Sequence, residues 1–569
     1  MRKRKRQLPR VKRIQREELS RLLERAETNT LIPEDVKSIQ AMAETIEFII
    51  AMLKEKDIKL KRLLKQLLGI KSEKSDKVFG SRNPEQPEVD TGDTTGASDT
   101  ATPDNKDNKR KGHGRNGVDA YTGADKVWVA HPCLASGHPC PQCPKGKVYP
   151  EKPGVFIYIE GRSPIQATVY ELEKLRCNLC GAIFQAPLPE QIAGEDRGSR
   201  HYDETAKTMM ALLRYGCGFA LNRLENLQAD LGMPLAAATG WDKTEEAADS
   251  IYPAFEELKR QGAQGDILHN DDTGMKVLSA MAEIEKEVKE ACGKKVRTGI
   301  FTTGIVSIGH GRKIALFFTG RKHAGENFSE LIAQRDPDRK RPLQMSDAKK
   351  GNTLAQTQAI VCNCNAHGRR YFVDAADNYP DECAYVIIDV YREIYKNDAV
   401  ARQKQMSPDE RLMFHQQKSG PIMDEFHSWL NAQIDNRKVE PNSDLGTAIF
   451  YMLNHWQELT RFLCVPGAPL DNNICESALK RSICHRKNSL FYKTEHGAYI
   501  GDMFMSLIHT CRLNGENPFD YLTELQRHSS DVFKIPSKWM PWNYRHRLEE
   551  LISEPLRPGL NSESVASLA

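Results

Sequence analysis

Three acidic side chains stand where carboxylates can do metal chemistry. Asp271 lies in or at the end of a strong strand pattern, ILHNDDT. Asp347 ends a shorter one, LQMSDAKKGN. Glu476 falls in the first turn of a helix pattern, PLDNNICESALKR, which Asp471 or Asn472 can cap and along which Arg481 follows. Phosphodiester chemistry with two metals needs carboxylates that bridge and flank ions about 3.5–4 Å apart. Mg2+ takes a few carboxylate oxygens and fills its remaining positions with water and substrate phosphate. Two strand-borne aspartates and a helix-borne glutamate can supply such a set. By themselves, three carboxylates among 77 acids decide little, because a solvated surface acid or a helix cap is the commoner use of each.

A second set of residues points to zinc. Cys140-Pro-Gln-Cys143 and Cys177-Asn-Leu-Cys180 are two CxxC pairs separated by a strand-rich stretch, VFIYIEGR and ATVYELEKLR. A two-residue gap lets one knuckle offer two thiolates, and two knuckles complete a tetrahedron with Zn–S of about 2.3 Å. The pattern reads as a zinc ribbon with a structural ion, since four thiolates leave no open position for chemistry. His131, Cys133 and His138 lie just upstream, and Lys109, Arg110, Lys111, His113 and Arg115 precede them as possible DNA-holding charges. Nothing nearby has the βαβ pattern of a redox CxxC.

The elements that must position these groups follow from periodicity and composition. From residue 265, GDILHNDDTGMKVL, RTGIFTTGIVSIG and RKIALFFTG are strand-like, followed by a helical GENFSELIAQ, the short PLQMSD strand and IVCNCNAHGRRYFVDA. Helical patterns dominate from about 380 to 465. Together they predict a mixed sheet flanked by helices. Residues 195–262 read as helices, either a connector or a DNA-reading helix-turn-helix. Residues 531–569 read as a C-terminal tail.

Toward the N-terminus the pattern changes. Ile39, Met42, Ile46, Ile49, Leu53, Lys56, Leu60, Leu63 and Leu67 step by alternating threes and fours, predicting a coiled-coil helix over 35–74 that favours a dimer. Residues 75–112 are rich in Pro, Gly, Ser, Thr, Asp and Asn, too poor in apolar surface to offset the entropy of ordering, and predict a disordered linker before a zinc domain over 113–190.

Net charge is only +4, yet residues 1–16 carry nine Arg or Lys and no acid. A basic arm, within 1–34, on a mildly acidic body suits a phosphate-backbone partner, although a solvated tail has the same composition. No apolar stretch of about 7–15 residues follows the arm, and no run of about 18 apolar residues occurs, which argues against a signal peptide and a membrane span. The expected protein is soluble and cytoplasmic, so its 14 cysteines argue for metal binding or packing rather than disulfides.

Several segments resemble, in order, transposases of the insertion-sequence-66 family. KQLLGIKSEK looks like the end of that family's zipper helix, and GHGRNG with the two CxxC pairs looks like its zinc-binding domain. LHNDDT, MSDAKKGN, NAHGRRYFVDAAD and GAPLDNNICESALKRSICHRKNSLFYKTEHGA look like its catalytic domain, and HTCRLNGENPFDYL like its C-terminal signature. The resemblance implies an RNase H-like α/β catalytic domain over 263–530, interrupted by a helical insertion at about 380–465. It also implies an Asp-Asp-Glu triad of Asp271, Asp347 and Glu476 holding two Mg2+ (or Mn2+) ions for DNA strand cleavage and strand transfer.

Two departures stand out: Asp272 where the family often has Glu, and Ser477 where it usually has Arg. His367, Arg369 and Arg370, with Arg486 and Lys487, are candidate DNA-phosphate contacts. Asn472 and Asn473 are placed to orient Glu476 or touch DNA, and Asn472 equally to cap the helix. The implied partners are the element's terminal inverted repeats, target DNA in the bacterial nucleoid, a second copy of the chain, and small helper proteins of the same element. Two competing readings fit the same residues: a zinc-ribbon DNA-binding regulator or decayed transposase, and a nuclease that cuts without joining.

Overall fold

A computed structural model of the chain describes residues 201–291, 296–352 and 358–553 continuously, with short stretches between 25 and 189. The basic residues at 1–16, nearly all of the expected coiled coil and the linker at 75–112 lie outside the described residues. The chain divides into two units. One comprises Met1–Val89, Leu258–Ile483 and Phe491–Asp502; the other comprises Asp90–Glu257, Cys484–Leu490 and Met503–Ala569.

In chain order, the first described strands are β1 (Lys174–Arg176) and β2 (Ile183–Gln185), an antiparallel pair flanking the second CxxC in sequence. Near the first CxxC, Gly137 N donates to Val148 O and Cys140 N to Gly146 O, both at 2.8 Å. Cys140 is described, but Cys143, Cys177 and Cys180 lie outside the described residues, and with them the zinc site. Helices α1 (Glu204–Ala211), α2 (Leu221–Asp230) and α3 (Ala237–Gly262) follow, as the residue pattern predicts.

The first unit is built on a five-stranded sheet: β3 (Ile267–Gly274), β4 (Phe301–Gly309), β5 (Arg312–Gly320), β6 (Leu343–Ser346) and β7 (Ile360–Asn363), in the order β5-β4-β3-β6-β7. β4 pairs antiparallel with both β3 and β5, while β6 pairs parallel with both β3 and β7. The β4–β5 turn needs only His310 and Gly311, at φ 52° and 71°. Positive φ at both central residues gives the primed turn whose twist matches two paired strands. Parallel pairing instead needs crossovers, and α5 (Ala324–Ile332) supplies the one from β5 to β6. One further helix, α4 (Leu278–Glu290), stands between β3 and β4 where the sequence suggested only a strand continuing to Leu278.

After β7 come α6 (Asn365–Ala375) and a helical run from Pro380 to Leu463 that includes α7 (Glu393–Gln403), α8 (Pro408–Lys418), α9 (Gly420–Asp435) and α10 (Asp444–Asn454). The run shares one core with the sheet: Phe372, Phe426, Leu430, Ile449 and Met452 are buried in the same cluster as Leu343 and Met345 of β6 and Cys362 of β7. Each such large side chain contributes roughly 1.5–3 kcal/mol by leaving water. Gly368 permits the close approach of α10 to α6, because a Cβ there would lie 2.8 Å from Met452 Sδ. The chain then returns through α11 (Asn473–Ser489), α12 (Glu495–Leu513) and α13 (Pro518–Arg527).

Among its described residues the second unit is mostly helical. Asp203 caps α1, accepting Ala206 N at 2.8 Å. Gln526 Nε2 donates to buried Thr208 Oγ1 at 2.7 Å, and Tyr215 stacks on Phe504 at 5.5 Å. Residues 531–553, expected to begin a tail, are built into this unit. Trp539 is fully buried, its indole N–H donates to Asp531 Oδ2 at 2.8 Å, and Arg547 pairs with the same carboxylate.

Candidate active site

Strand register brings the first two carboxylates together. On the parallel pair, Ile267 lies beside Leu343, Leu268 beside Gln344 and His269 beside Met345. Asp271 and Asp347 each lie two residues beyond the last of these pairs. Asn352, in the 3-10 turn Lys350–Asn352 that follows β6, ties them together. Its Nδ2 donates to Asp347 Oδ1 and, at 3.4 Å, to Asp271 Oδ1. The turn itself is held from below, since Asn352 O accepts Asn270 Nδ2 at 3.1 Å and Gln344 Nε2 at 2.7 Å. Lys349 Nζ lies 3.1 Å from Asp347 Oδ2.

Asp272 serves a different purpose. Neighbours on a strand point to opposite faces, and Asp272 accepts Thr303 Oγ1 at 2.7 Å and the backbone N–H of Ala324 at 3.0 Å, with His323 Nδ1 at 3.2 Å. It fastens the N-terminus of α5 to β3, leaving Asp271 as the member of the pair that faces Asp347.

Glu476 is positioned by the start of α11. Asn472 is fully buried; its Nδ2 donates to Asn270 O at 3.1 Å, and its Oδ1 lies 3.2 Å from His269 Nδ1. Burial lowers the His269 pKa to about 4, so the ring is neutral and Nδ1–H is the donor. The Asn472 carbonyl accepts Cys475 N and Glu476 N, while the Asp471 carboxylate takes Asn473 N at 3.1 Å. Of the roles expected for Asn472 (orienting Glu476, touching DNA or capping the helix), its amide takes one that positions the Glu476 helix, clamping α11 onto β3, while Asn473 beside it is exposed. One turn on, Cys475 Sγ donates to Gly304 O at 3.2 Å. Gly304 pairs with Asp271 across β4, and a Cβ on it would sit 2.9 Å from Leu479 Cγ, so glycine lets the Glu476 helix lie flat on the sheet.

The Glu476 carboxylate faces α6. Its Oε1 lies 3.6 Å from His367 Nδ1 and its Oε2 3.9 Å from Arg370 NH2. Cys364, the residue before α6, completes a small cluster: donor atoms of Cys364, His367 and Glu476 all lie within 4.8 Å of one another. Burial raises the Cys364 thiol to about 12. Burial also holds His367 below the ordinary imidazole value, against the opposing pull of Glu476.

Electrostatics marks Asp271. Burial, then repulsion from Asp347 and more weakly from Glu476, raises its pKa to about 6. A half-buried carboxylate crowded by two others calls for counter-charge, and this donor set fits hard divalent ions with oxygen ligands.

The structure thus gathers Asp271, Asp347 and Glu476 in the first unit. Arg369 and Arg370 are half-buried on α6 of the same unit, whereas Arg486 and Lys487 belong to the second unit. Asn352, Lys349, Cys364 and His269 were not anticipated. MSDAKKGN and CNAH carried a weak signal for the first three, a carboxylate followed by polar residues and a Cys-x-x-His spacing.

Comparison with known proteins falls on the same region. The profile of the family described as "Transposase IS66 family" matches residues 201–500, which hold all three carboxylates. A protein of Sinorhizobium fredii described as "Uncharacterized protein y4hP" is 25% identical over 398 residues, 66% of this chain and 67% of its own length. Two others from that organism, y4jD and y4qI, are 29% identical over 187 residues and 30% identical over 194. Those matches each cover 32% of this chain, and 35% and 34% of the respective relatives.

Proposed function

The chain belongs to the IS66 family of transposases, and from that premise we propose that it cleaves and joins DNA strands at the ends of a mobile insertion sequence, with Asp271, Asp347 and Glu476 as its metal-holding triad. The observation that carries this reading is the Asn352 amide, which donates to both Asp271 and Asp347 just beyond the β3–β6 pairing, while the Asn472 clamp brings the start of the Glu476 helix to the same strand. A sheet antiparallel on one side of β3 and parallel on the other, with Asp271 within β3 and Asp347 just past the end of β6, supports an RNase H-like reading of the core.

Bound Mg2+ or Mn2+ would supply Lewis acidity, activating the attacking oxygen and stabilising the leaving one. The chain's own groups do the rest. Asp271 and Asp347 offer carboxylate oxygens on one face. Asn352 holds the two carboxylates together. His367 and Arg370 aim the Glu476 carboxylate. Phosphoryl transfer depends chiefly on positioning and charge neutralisation, and Lys349, Arg369 and Arg370 are placed in this unit to neutralise a DNA phosphate. Arg486 and Lys487 would contact DNA from the second unit.

The remaining parts have natural roles in the same scheme. Cys140, Cys143, Cys177 and Cys180 would hold a structural zinc. The N-terminal helix would dimerise the chain, raising the effective concentration of a second element end. Inverted repeats, target DNA and small helper proteins are the partners this role calls for.

The test is a joining assay with purified chain, Mg2+, labelled element ends and target plasmid. Wild type should give joined product, and Asp347→Ala and Glu476→Ala should lower it by at least about 10³-fold, because positioned charge stabilisation of this kind is worth that much. Cleavage without joining would favour a nuclease, and binding without either would favour a regulator.

A further inference from the structure

The cluster of Cys364, His367 and Glu476 has a donor chemistry unlike that of the two aspartates. Asp271 and Asp347 offer oxygen alone, whereas this cluster offers one sulfur, one imidazole nitrogen and one carboxylate oxygen. Thiolate and imidazole favour zinc-like ions, and Mg2+ has little use for either. The spacing is close to what such an ion needs. Tetrahedral zinc, with bonds of about 2.0–2.3 Å, puts its ligand atoms roughly 3.5 Å apart. His367 Nδ1 and Glu476 Oε1 already stand at 3.6 Å, and no pair in the cluster exceeds 4.8 Å.

Two further observations point to a ligand. His367 Nδ1 and Glu476 Oε1 are both buried atoms without a hydrogen-bond partner, and they face each other. The Cys364 sulfur is oriented as an acceptor, taking the Asn472 backbone N–H at 3.2 Å. Support of this kind fixes a metal ligand's direction. The backbone explains the convergence: Cys364 immediately precedes α6, His367 lies in that helix's first turn, and Glu476 comes from the first turn of α11.

We propose that Cys364, His367 and Glu476 bind a thiophilic divalent ion, with Zn2+ as the probe, at a site distinct from the Asp271–Asp347 pair. Three protein ligands leave a fourth position for water. Binding replaces the thiol proton, which leaves to solvent. The ion at this site holds Glu476 toward α6 and so withholds it from the two aspartates, making zinc an inhibitor of the Mg2+-dependent reaction. That consequence, unlike the binding itself, rests on the triad reading of the previous section.

The test is zinc stoichiometry of the full-length chain after equilibration with Zn2+ and removal of free metal, for wild type, Cys364→Ser and His367→Gln. The CxxC pairs are common to all three, so their zinc cancels in the comparison. Wild type should retain one more zinc per chain than either variant. Equal stoichiometry in wild type and a folded variant would overturn the proposal, and should Cys364→Ser fail to fold, the half-buried His367→Gln decides it.

A second arm adds Zn2+ to the Mg2+ joining assay. Wild type should slow by at least about tenfold and Cys364→Ser much less, since even a change in a ligand's outer-shell support weakens such sites about 10–100-fold and here a ligand itself is lost. Equal inhibition of both would overturn the inhibitory role. Absence of joining in Mg2+ alone would count against the triad reading and leave the stoichiometry to decide the zinc site.

Discussion

Asp271 pays electrostatically for its position: half-buried and beside Asp347, it is held at a pKa of about 6. A carboxyl whose folded pKa lies above its unfolded value of about 3.9 favours folding fully at low pH. That contribution is lost as pH rises through about 6. In metal-free buffer, Asp271→Asn should therefore exceed wild type in unfolding free energy at pH 7.5 by about 1–2 kcal/mol after discounting for solvent screening, seen as a higher Tm. The advantage should shrink toward pH 4.5, and Mg2+ should stabilise wild type alone. A variant less stable than metal-free wild type at pH 7.5 would contradict this account. At this scale the sequence was informative about residue type and poor about partners. The strand and helix patterns that carry Asp271, Asp347 and Glu476 were legible locally, whereas the choice of these three among 77 acids came from the family resemblance. The bridging amide of Asn352 and the opposite-facing task of Asp272 depend on how segments far apart in the chain pair, which no local pattern encodes.

At the scale of elements, the site depends on the join between α11 and β3. Asn472→Ala removes a donor and an acceptor together, leaving His269 Nδ1 and Asn270 O unsatisfied. It should cost about 1–3 kcal/mol, the penalty of stranding buried polar groups. It should also lower joining at least about tenfold, since small misplacement of a reacting group costs that much or more. Asp471→Ala, which removes the acceptor of Asn473 N and a contact to Tyr395 but no part of the clamp on β3, should cost about 1 kcal/mol or somewhat more and leave joining near wild type. Equal effects of the two on joining would deny Asn472 its positioning role. The sheet strands and α5 were legible through β-branched runs and periodicity. Helix α4 was not, and its side chains show why: Ala280 and Ile284 are buried, but Leu278, Met281 and Val288 are exposed, so its apolar residues do not mark one buried stripe.

At the scale of the molecule, composition was the guide and the described residues cover only part of what it suggested. Helical character between about 380 and 465 was legible, because long periodic segments with a shared apolar face are the least ambiguous pattern. The division of the chain was not legible: α11 begins in the unit that holds the carboxylates and ends in the other, which no change of composition marks. The basic residues at 1–16 lead to a separate prediction. If they neutralise DNA phosphates, the salt dependence of binding should flatten on their removal by about 0.9 in log–log slope for every phosphate they had neutralised. Binding isotherms of full-length and truncated chain across salt concentrations measure this, and identical slopes would rule the arm out as a DNA-binding element.

The central claim is that Asp271, Asp347 and Glu476 are ligands to the ions that drive strand transfer. Replacing each in turn by cysteine and measuring joining in Mg2+ and in Mn2+ tests it most directly, because Mg2+ favours oxygen ligands while a later divalent ion accepts sulfur more readily. The account predicts joining nearly abolished in Mg2+ and partly restored in Mn2+. Wild-type joining by the three variants in Mg2+, or a loss identical in both ions at every position, would contradict it.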